Sequence, residues 1–335
     1  MRSRPVLRSG PDPRSVPGAL SRPVLRSHPL LALLWVMLST TIYACAGPGP
    51  SGSPPPTATG PVRLEQLPAT DACRASREKV AELSTEKYDW SLSFSPDGKT
   101  AFWAVSEGWF PTTRKARIVT ARLENGTWSA PEDIPFSAAP DYTDMDPAVS
   151  PDGTMLVFTS TRPVDGEQRR DLDVWYVERD GDGWGEPVNL GEQVNSPRDE
   201  LFPSVAADGT IYFASDRTGE WDIYRTRPQG DGTYGPAEHL GEPINSDLVW
   251  QFNPDISPDG QTLVFTMLSH PDGLGAGDMY LARRDGDGFD QPINLGECVN
   301  TNQDEYHPRV VWSGDQPVIY FVYRGDFYRA NLPQE

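Results

Sequence analysis

The stretch SPDGTMLVFTSTR, Ser150 to Arg162, followed at Asp173 to Tyr176 by DVWY, decides how this chain folds. Asp-Gly favours a tight hairpin because the turn needs positive φ, which glycine adopts without steric penalty. The proline before it pre-sets φ for the turn. The same turn returns as SPDGKT at Ser95, AADGTI at Ala206 and SPDGQT at Ser257, and in degenerate form as VWSGDQ around Gly314. The turn glycines Gly98, Gly153, Gly209, Gly260 and Gly314 are 55, 56, 51 and 54 residues apart. Around each turn lies a fixed grammar. A short extended run such as Phe202-Pro203-Ser204-Val205 precedes it, and an alternating run such as Thr262–Thr266 follows. Asp-aliphatic-aromatic comes third, as in Asp222-Ile223-Tyr224, Asp278-Met279-Tyr280 and Asp326-Phe327-Tyr328. A fourth run holds Pro187-Val188-Asn189-Leu190 or Pro292-Ile293-Asn294-Leu295. Short β-type runs bounded by Gly, Pro and Asp read as strands and hairpins, four to a unit.

A four-stranded sheet cannot bury both faces alone, so successive units must stack around an axis. The expected fold is all-β, a single β-propeller of four-stranded blades. Five blades are expected, and a six-bladed ring with residues 69–90 as a cryptic blade is the alternative. The fifth unit stops after its third strand, at Tyr328, and Pro61-Val62-Arg63-Leu64 matches the missing fourth. An N-terminal strand at 61–64 is therefore expected to complete the last blade and seal the open sheet edge.

The SPDG turn, the strand ending Phe-x-Ser-x-Arg (Phe158–Arg162, Phe213–Arg217) and the DIY element together resemble the WD40-like repeat of TolB-type periplasmic proteins, over roughly residues 88 to 330. That resemblance implies a propeller in the cell envelope and no single activity, because members of the family share none. The first copy, with Arg117-Ile118-Val119 in place of Asp-aliphatic-aromatic, and the fifth, with its altered turn, are the divergent ones.

Composition and address agree with an exported protein. The chain has 335 residues, 29 Lys plus Arg against 48 Asp plus Glu, and 37% apolar residues. Nothing in this balance supplies the basic footprint that nucleic acid requires. Leu30–Leu38, LLALLWVML, is preceded by Arg22 and Arg26 and followed by small residues, a signal-peptide layout. Nine apolar residues fall short of the ~20 that a membrane-spanning helix needs. Ile42-Tyr43-Ala44-Cys45 resembles a bacterial lipobox, with Tyr43 departing from its usual pattern, and makes Cys45 the candidate lipidation site. Residues 3–9 and 21–27 are both SRPVLRS, and a translation start near Val24 or Leu25 would leave an ordinary short leader. The expected organisation is a leader over 1–45, a Pro/Gly/Ser linker over 46–60 and the propeller over 61–335. The leader carries +5, so the exported body carries −24 and disfavours anionic surfaces.

Cys73 and Cys298 both follow expected fourth strands, in blades five and four, and an oxidising envelope permits a disulfide between them. Counting back three residues from the proline of each first strand, or its equivalent, gives Asp89, Asp144, Glu200, Gln251 and Glu305, with Asp146, Asp199 and Asp304 nearby. First strands line the axis in propellers of this type, so these residues are the candidates for binding a cation or a basic segment at the channel mouth. The competing reading is structural: each acid accepts backbone N–H groups or pairs with Arg162 or Arg217, tying an inter-blade loop. The Asp-Gly-Asp-Gly segments at 180–183 and 285–288 lack the spaced acids of a calcium loop and read as hairpin turns. No G-x-S-x-G elbow and no H-E-x-x-H helix is present. The expected function is that of a non-catalytic, lipid-anchored envelope module without a cofactor. It would act as a monomer and bind an envelope protein or a peptidoglycan-associated partner, with Trp109, Phe110, Trp221 and Trp250 as candidate anchors. The alternative is a glycan hydrolase using a pair of mouth carboxylates.

Overall fold

The computed structural model describes residues 64–108, 115–137, 141–313 and 316–333. The leader, the linker, Cys45, positions 61–63, Trp109, Phe110 and Gly314 lie outside the described residues. Within them, five antiparallel sheets follow one another along the chain. Their innermost strands are Tyr88–Phe94, Asp144–Val149, Glu200–Val205, Trp250–Ile256 and Glu305–Val311. Each inner strand packs against the next and the fifth against the first, so the sheets form a closed five-bladed β-propeller. Residues 69–90 supply a short helix, Asp71–Ser76, a closing strand and the start of blade one rather than a sixth blade.

Aromatic pairs explain why the second and third strands lie where they do. Phe158 faces Trp175, Phe213 faces Tyr224, Phe265 faces Tyr280 and Phe321 faces Tyr328 across the sheet. All four phenylalanines are fully or almost fully buried, each contributing roughly 1.5–3 kcal/mol of burial. Blade one reverses the pattern: its third strand offers Val119, and the aromatic bulk sits opposite on Trp103. The divergent first copy thus conserves the volume of the pair by exchanging partners.

The turns use more than their glycine. In blade two Ser150 Oγ donates to Asp152 (2.6 Å) while the backbone N–H groups of Met155 and Thr154 donate to Ser150 Oγ and Asp152 (both 3.0 Å). Gly153 takes φ 75°, as the turn requires. The set recurs around Ser95 and Ser257.

Closure follows the expected logic with different residues. Among the described residues the outer partner of Asp326–Asn331 is Glu78–Lys79; of the expected strand 61–64 only Leu64 is described. Leu64–Leu67 runs instead along blade four, where Asn294 N–H donates to Glu65 and Leu67 N–H donates to Asn294 (both 2.8 Å). The apolar pattern misled because a two-residue outer strand has no buried face to advertise. Glu78 and Lys79 are exposed, and each is held by an ion pair, to Arg329 and to Asp326. Between these two dockings the helix carries Cys73, bonded to Cys298 with the Cα atoms 5.4 Å apart. The first described segment therefore bridges blades four and five.

Candidate functional site

The five equivalent positions at the start of the inner strands, Asp89, Asp144, Glu200, Gln251 and Glu305, are all essentially solvent-free. Four of them hold the loop that arrives from the preceding blade directly, and Asp144 does so through Arg162, which donates to Phe136 O. Asp89 accepts from Thr85 N–H (2.6 Å) and Trp103 Nε1–H (3.0 Å). Asp144 takes a two-pronged bond from Arg162 (3.1 and 2.7 Å). Glu200 accepts from Ser196 N–H, Ser215 Oγ–H and Arg217 (2.9, 2.7 and 3.1 Å). Glu305 accepts from Thr301 N–H (3.0 Å) and Arg77 (2.8 Å). Blade four has Ser269 where blades two and three have their arginine. Its staple is the neutral Gln251, which donates to Ser246 Oγ (3.0 Å). Blade five also lacks the arginine and borrows Arg77 from the closing segment. Burial is the largest influence on three of these acids, raising Asp89 to about 6, Glu200 to about 7, and Glu305 above its ordinary value.

Asp199 and Asp304 belong to the same construction, accepting from the backbone N–H of Leu172 (3.0 Å) and Gly277 (3.3 Å). Seven of the eight mouth candidates are thus loop staples, and the geometry follows the competing structural reading. The physical reason is repetition. A polar side chain at one position in every blade meets the same orphaned loop amides in every blade.

Asp146 alone reaches the axis. Each inner strand carries a bulge, and the bulged residue lies in the left-handed region: Ser91 (φ 55°), Asp146 (55°), Phe202 (57°), Asn253 (52°) and His307 (55°). Such a backbone costs a non-glycine residue on the order of 1–3 kcal/mol unless its surroundings enforce it. The five side chains converge. Ser91 Oγ lies 2.5 Å from Asp146 Oδ1 and 3.0 Å from His307 Nδ1. Asn253 Nδ2 lies 3.1 Å from the same Nδ1, while Asn253 Oδ1 accepts from His307 N–H (3.3 Å). Asp146 Oδ2 accepts from Thr159 Oγ1–H (3.2 Å) and Phe202 N–H (3.3 Å). The Phe202 ring stands edge-on to His307 at 5.1 Å. Four polar side chains and one ring therefore plug the channel.

Proton accounting separates two states of this network. With Asp146 ionised, Ser91 donates to it, and Nδ1 must then face either the Ser91 lone pair or the Asn253 amide hydrogens in a mismatch. With Asp146 protonated, Asp146 donates to Ser91, Ser91 donates to Nδ1, and Asn253 donates to Nδ1 as well. The two donors share the single Nδ1 lone pair, and the imidazole carries its proton on Nε2. Burial pushes Asp146 up to about 6 and His307 down to about 3, so the imidazole is neutral. Beneath the plug Asp255 accepts from Val310 N–H (2.7 Å) and pairs with Arg309 (2.7 Å), which also donates to Leu92 O of blade one (3.2 Å).

Sequence reasoning missed Ser91, Phe202, Asn253 and His307. The signal was present: each stands seven residues before its turn glycine, as Asp146 does. Sequence reading also passed over Gly191–Asn195, Gly241–Asn245 and Gly296–Asn300. Their asparagines pair with both backbone groups of Val174, Ile223 and Met279. Trp221 is half-buried, and Trp250 is 37% exposed and hydrogen-bonded to Glu220. Among the described residues no cluster of His, Cys, Asp or Glu is arranged to hold a metal ion. A polar cleft of about 220 Å³ on the turn side includes Asp208, Arg227, Asp259 and Asp287 in its lining. There Arg227 is already paired with Glu238 and Asp287.

No protein-family model matches the chain, and none of the curated proteins does. Among solved structures it is similar to a glycoside hydrolase, at 11% identity and TM-score 0.54, covering 81% of this chain and 91% of that one. It is also similar to TolB from Agrobacterium tumefaciens, at 16% identity and TM-score 0.45, with 74% and 81% covered. A puromycin-hydrolysing peptidase from Mycobacterium tuberculosis aligns at 15% identity and TM-score 0.41, over 70% of this chain and 34% of the peptidase. At such identities the likeness is one of fold, and the chain is a five-bladed β-propeller with TolB and hydrolase propellers among its structural neighbours.

Proposed function

We propose that this protein is a non-catalytic, envelope-anchored β-propeller that binds an envelope protein or a peptidoglycan-associated partner at one mouth of its axis. One observation carries the reading: exposure along the inner strands is lopsided. Every residue of Asp144–Val149 is buried, whereas Phe202, Phe252, Tyr306 and His307 are half-buried and Trp250 is exposed. Phe202 contacts Trp221 (6.5 Å) and Phe252 (6.1 Å), and Phe252 stacks on Tyr306 (6.0 Å). Leu248, 64% exposed, lies beside them in sequence. Clustered, partly exposed aromatics at a polar rim are the usual anchors of a docked partner. Export, lipid attachment at Cys45 and action as a monomer belong to this proposal.

The hydrolase reading draws on two raised carboxyls, Glu200 at about 7 and Asp146 at about 6. Against it, the accepting oxygens of both are engaged by the fold's own donors. Crosslinking in cells followed by partner identification tests the proposal. A partner lost on Trp250→Ala, without turnover on a glycan panel, supports it. Turnover abolished by Glu200→Gln rejects it in favour of the enzyme.

A further inference from the structure

The five blades are an alignment within one molecule. Positions that build blades repeat their chemistry: the turn Asp and the staple acid each occur in four copies, the turn Ser and the Asn that pairs the third strand in three. The axial bulge behaves differently. Its left-handed backbone is kept in all five blades, yet the side chains are Ser, Asp, Phe, Asn and His. A repeated scaffold bearing five dissimilar groups aimed at one point has been diversified for something other than blade construction.

We infer that this axial point is the floor of a blind pocket that takes a single uncharged saccharide unit, the terminal ring of a glycan; this deepens the mouth-binding reading and rests on it. An inner strand is flanked by the neighbouring blades and backed by its own second strand, so away from its ends its residues meet solvent along the axis. The exposure of Phe202, Phe252, Tyr306 and His307 therefore places the opening over blades three to five, while Trp90, Ser91, Met145 and Asp146 close the side of blades one and two. The hydrogen bonds among Ser91, Asp146, Asn253 and His307 block the channel, so no extended chain threads through it and a terminal group fits.

The chemistry on offer matches a neutral sugar. The contacts of Nδ1 with Ser91 and Asn253 leave the imidazole proton on Nε2, and no hydrogen bond from the described residues reaches that atom. It donates to a sugar hydroxyl. The rings of Phe202, Phe252 and Tyr306 supply flat apolar faces for the C–H side of a pyranose. An anionic ligand finds no partner, because Arg309 is committed to Asp255 and to Leu92. A cation finds none either, because both oxygens of Asp146 are already engaged, Oδ1 with Ser91 and Oδ2 with Thr159 and the Phe202 N–H.

Calorimetric titration of the full chain, disulfide intact, with neutral trisaccharides of glucose, galactose, mannose and N-acetylhexosamine tests the pocket. Trigalacturonate serves as the charged comparison. At least one neutral probe is expected to saturate at one site per chain. Phe252→Ala and His307→Gln are each expected to weaken it tenfold or more, Val188→Ala, exposed on an outer strand of blade two, to leave it within twofold, and trigalacturonate not to bind. Phe252→Leu, which keeps the fold filled but removes the flat face, is expected to lose affinity with an unchanged melting temperature. Failure of every neutral probe, or binding indifferent to Phe252→Leu and Phe252→Ala, overturns the inference. Capture of an envelope protein with no saccharide bound leaves the mouth reading standing and removes the pocket. Saccharide bound and hydrolysed keeps the pocket and removes the non-catalytic reading.

Discussion

Asp146 shows how one buried carboxyl couples the axis to pH. Its folded value, about 6, lies above the ordinary 3.8, because burial disfavours the charge and outweighs the bonds from Ser91, Phe202 and Thr159. The folded state therefore holds a proton that the unfolded state releases between about pH 4 and 6, and stability falls as pH rises through that window. Above it the cost amounts to about 3 kcal/mol, two units at roughly 1.4 each. Asp146→Asn reproduces the protonated network, with the amide donating to Ser91 and its oxygen accepting from Phe202. The variant is expected to gain about 1–3 kcal/mol in urea denaturation at pH 7.5 and nothing at pH 4. A loss at both pH values would rule out the protonated network. At the same scale, Asn300 pairs both backbone groups of Met279 in a fully buried setting. Asn300→Ala strands two backbone groups and is expected to cost about 2–4 kcal/mol in the same assay.

At the scale of elements, the closing segment joins the blades by short dockings rather than by a strand of any length. Leu64–Leu67 lies on blade four, Glu78–Lys79 completes blade five, and Arg77 reaches Glu305 at the inner strand. The Cys73–Cys298 bond spans 225 residues of sequence, so it restrains almost the whole described chain when unfolded. Cys298→Ser is expected to lower stability by roughly 3–5 kcal/mol in the chain-entropy picture, and adding reductant to the wild type should reproduce the loss. If the reduced and oxidised proteins melt together, the non-covalent dockings close the ring unaided. The closing strand was not legible in the sequence, because two exposed residues paired on one side carry no periodicity.

For the whole molecule, closure around the axis is an electrostatic as well as an apolar matter. Asp255 of blade four binds Arg309 and Val310 N–H of blade five, and Arg309 reaches Leu92 O of blade one, so one ion pair links three blades. Burial raises the Asp255 carboxyl, and Arg309 opposes that rise. Arg309→Met leaves a buried carboxylate without its partner and is expected to cost about 3–5 kcal/mol. The double variant Arg309→Met, Asp255→Asn should recover most of it; equal losses in the single and double variants would show that packing, not charge, carries the contact.

The sequence by itself determined the blade. Hairpin glycines need positive φ, strand patterns are local, and a repeat read five times over averages out the divergence of its first and last copies. It also determined that an acid recurs near the start of four of the five inner strands, and it left open whether that acid faces a ligand or a loop. Only the tertiary structure decided this, because burial and partner geometry depend on loops contributed by the preceding blade. Tertiary structure alone also brought Ser91, Asp146, Phe202, Asn253 and His307 together. They are separated by more than fifty residues at each step and become neighbours only when the ring closes, since convergence on an axis belongs to the assembled circle and to none of its sectors.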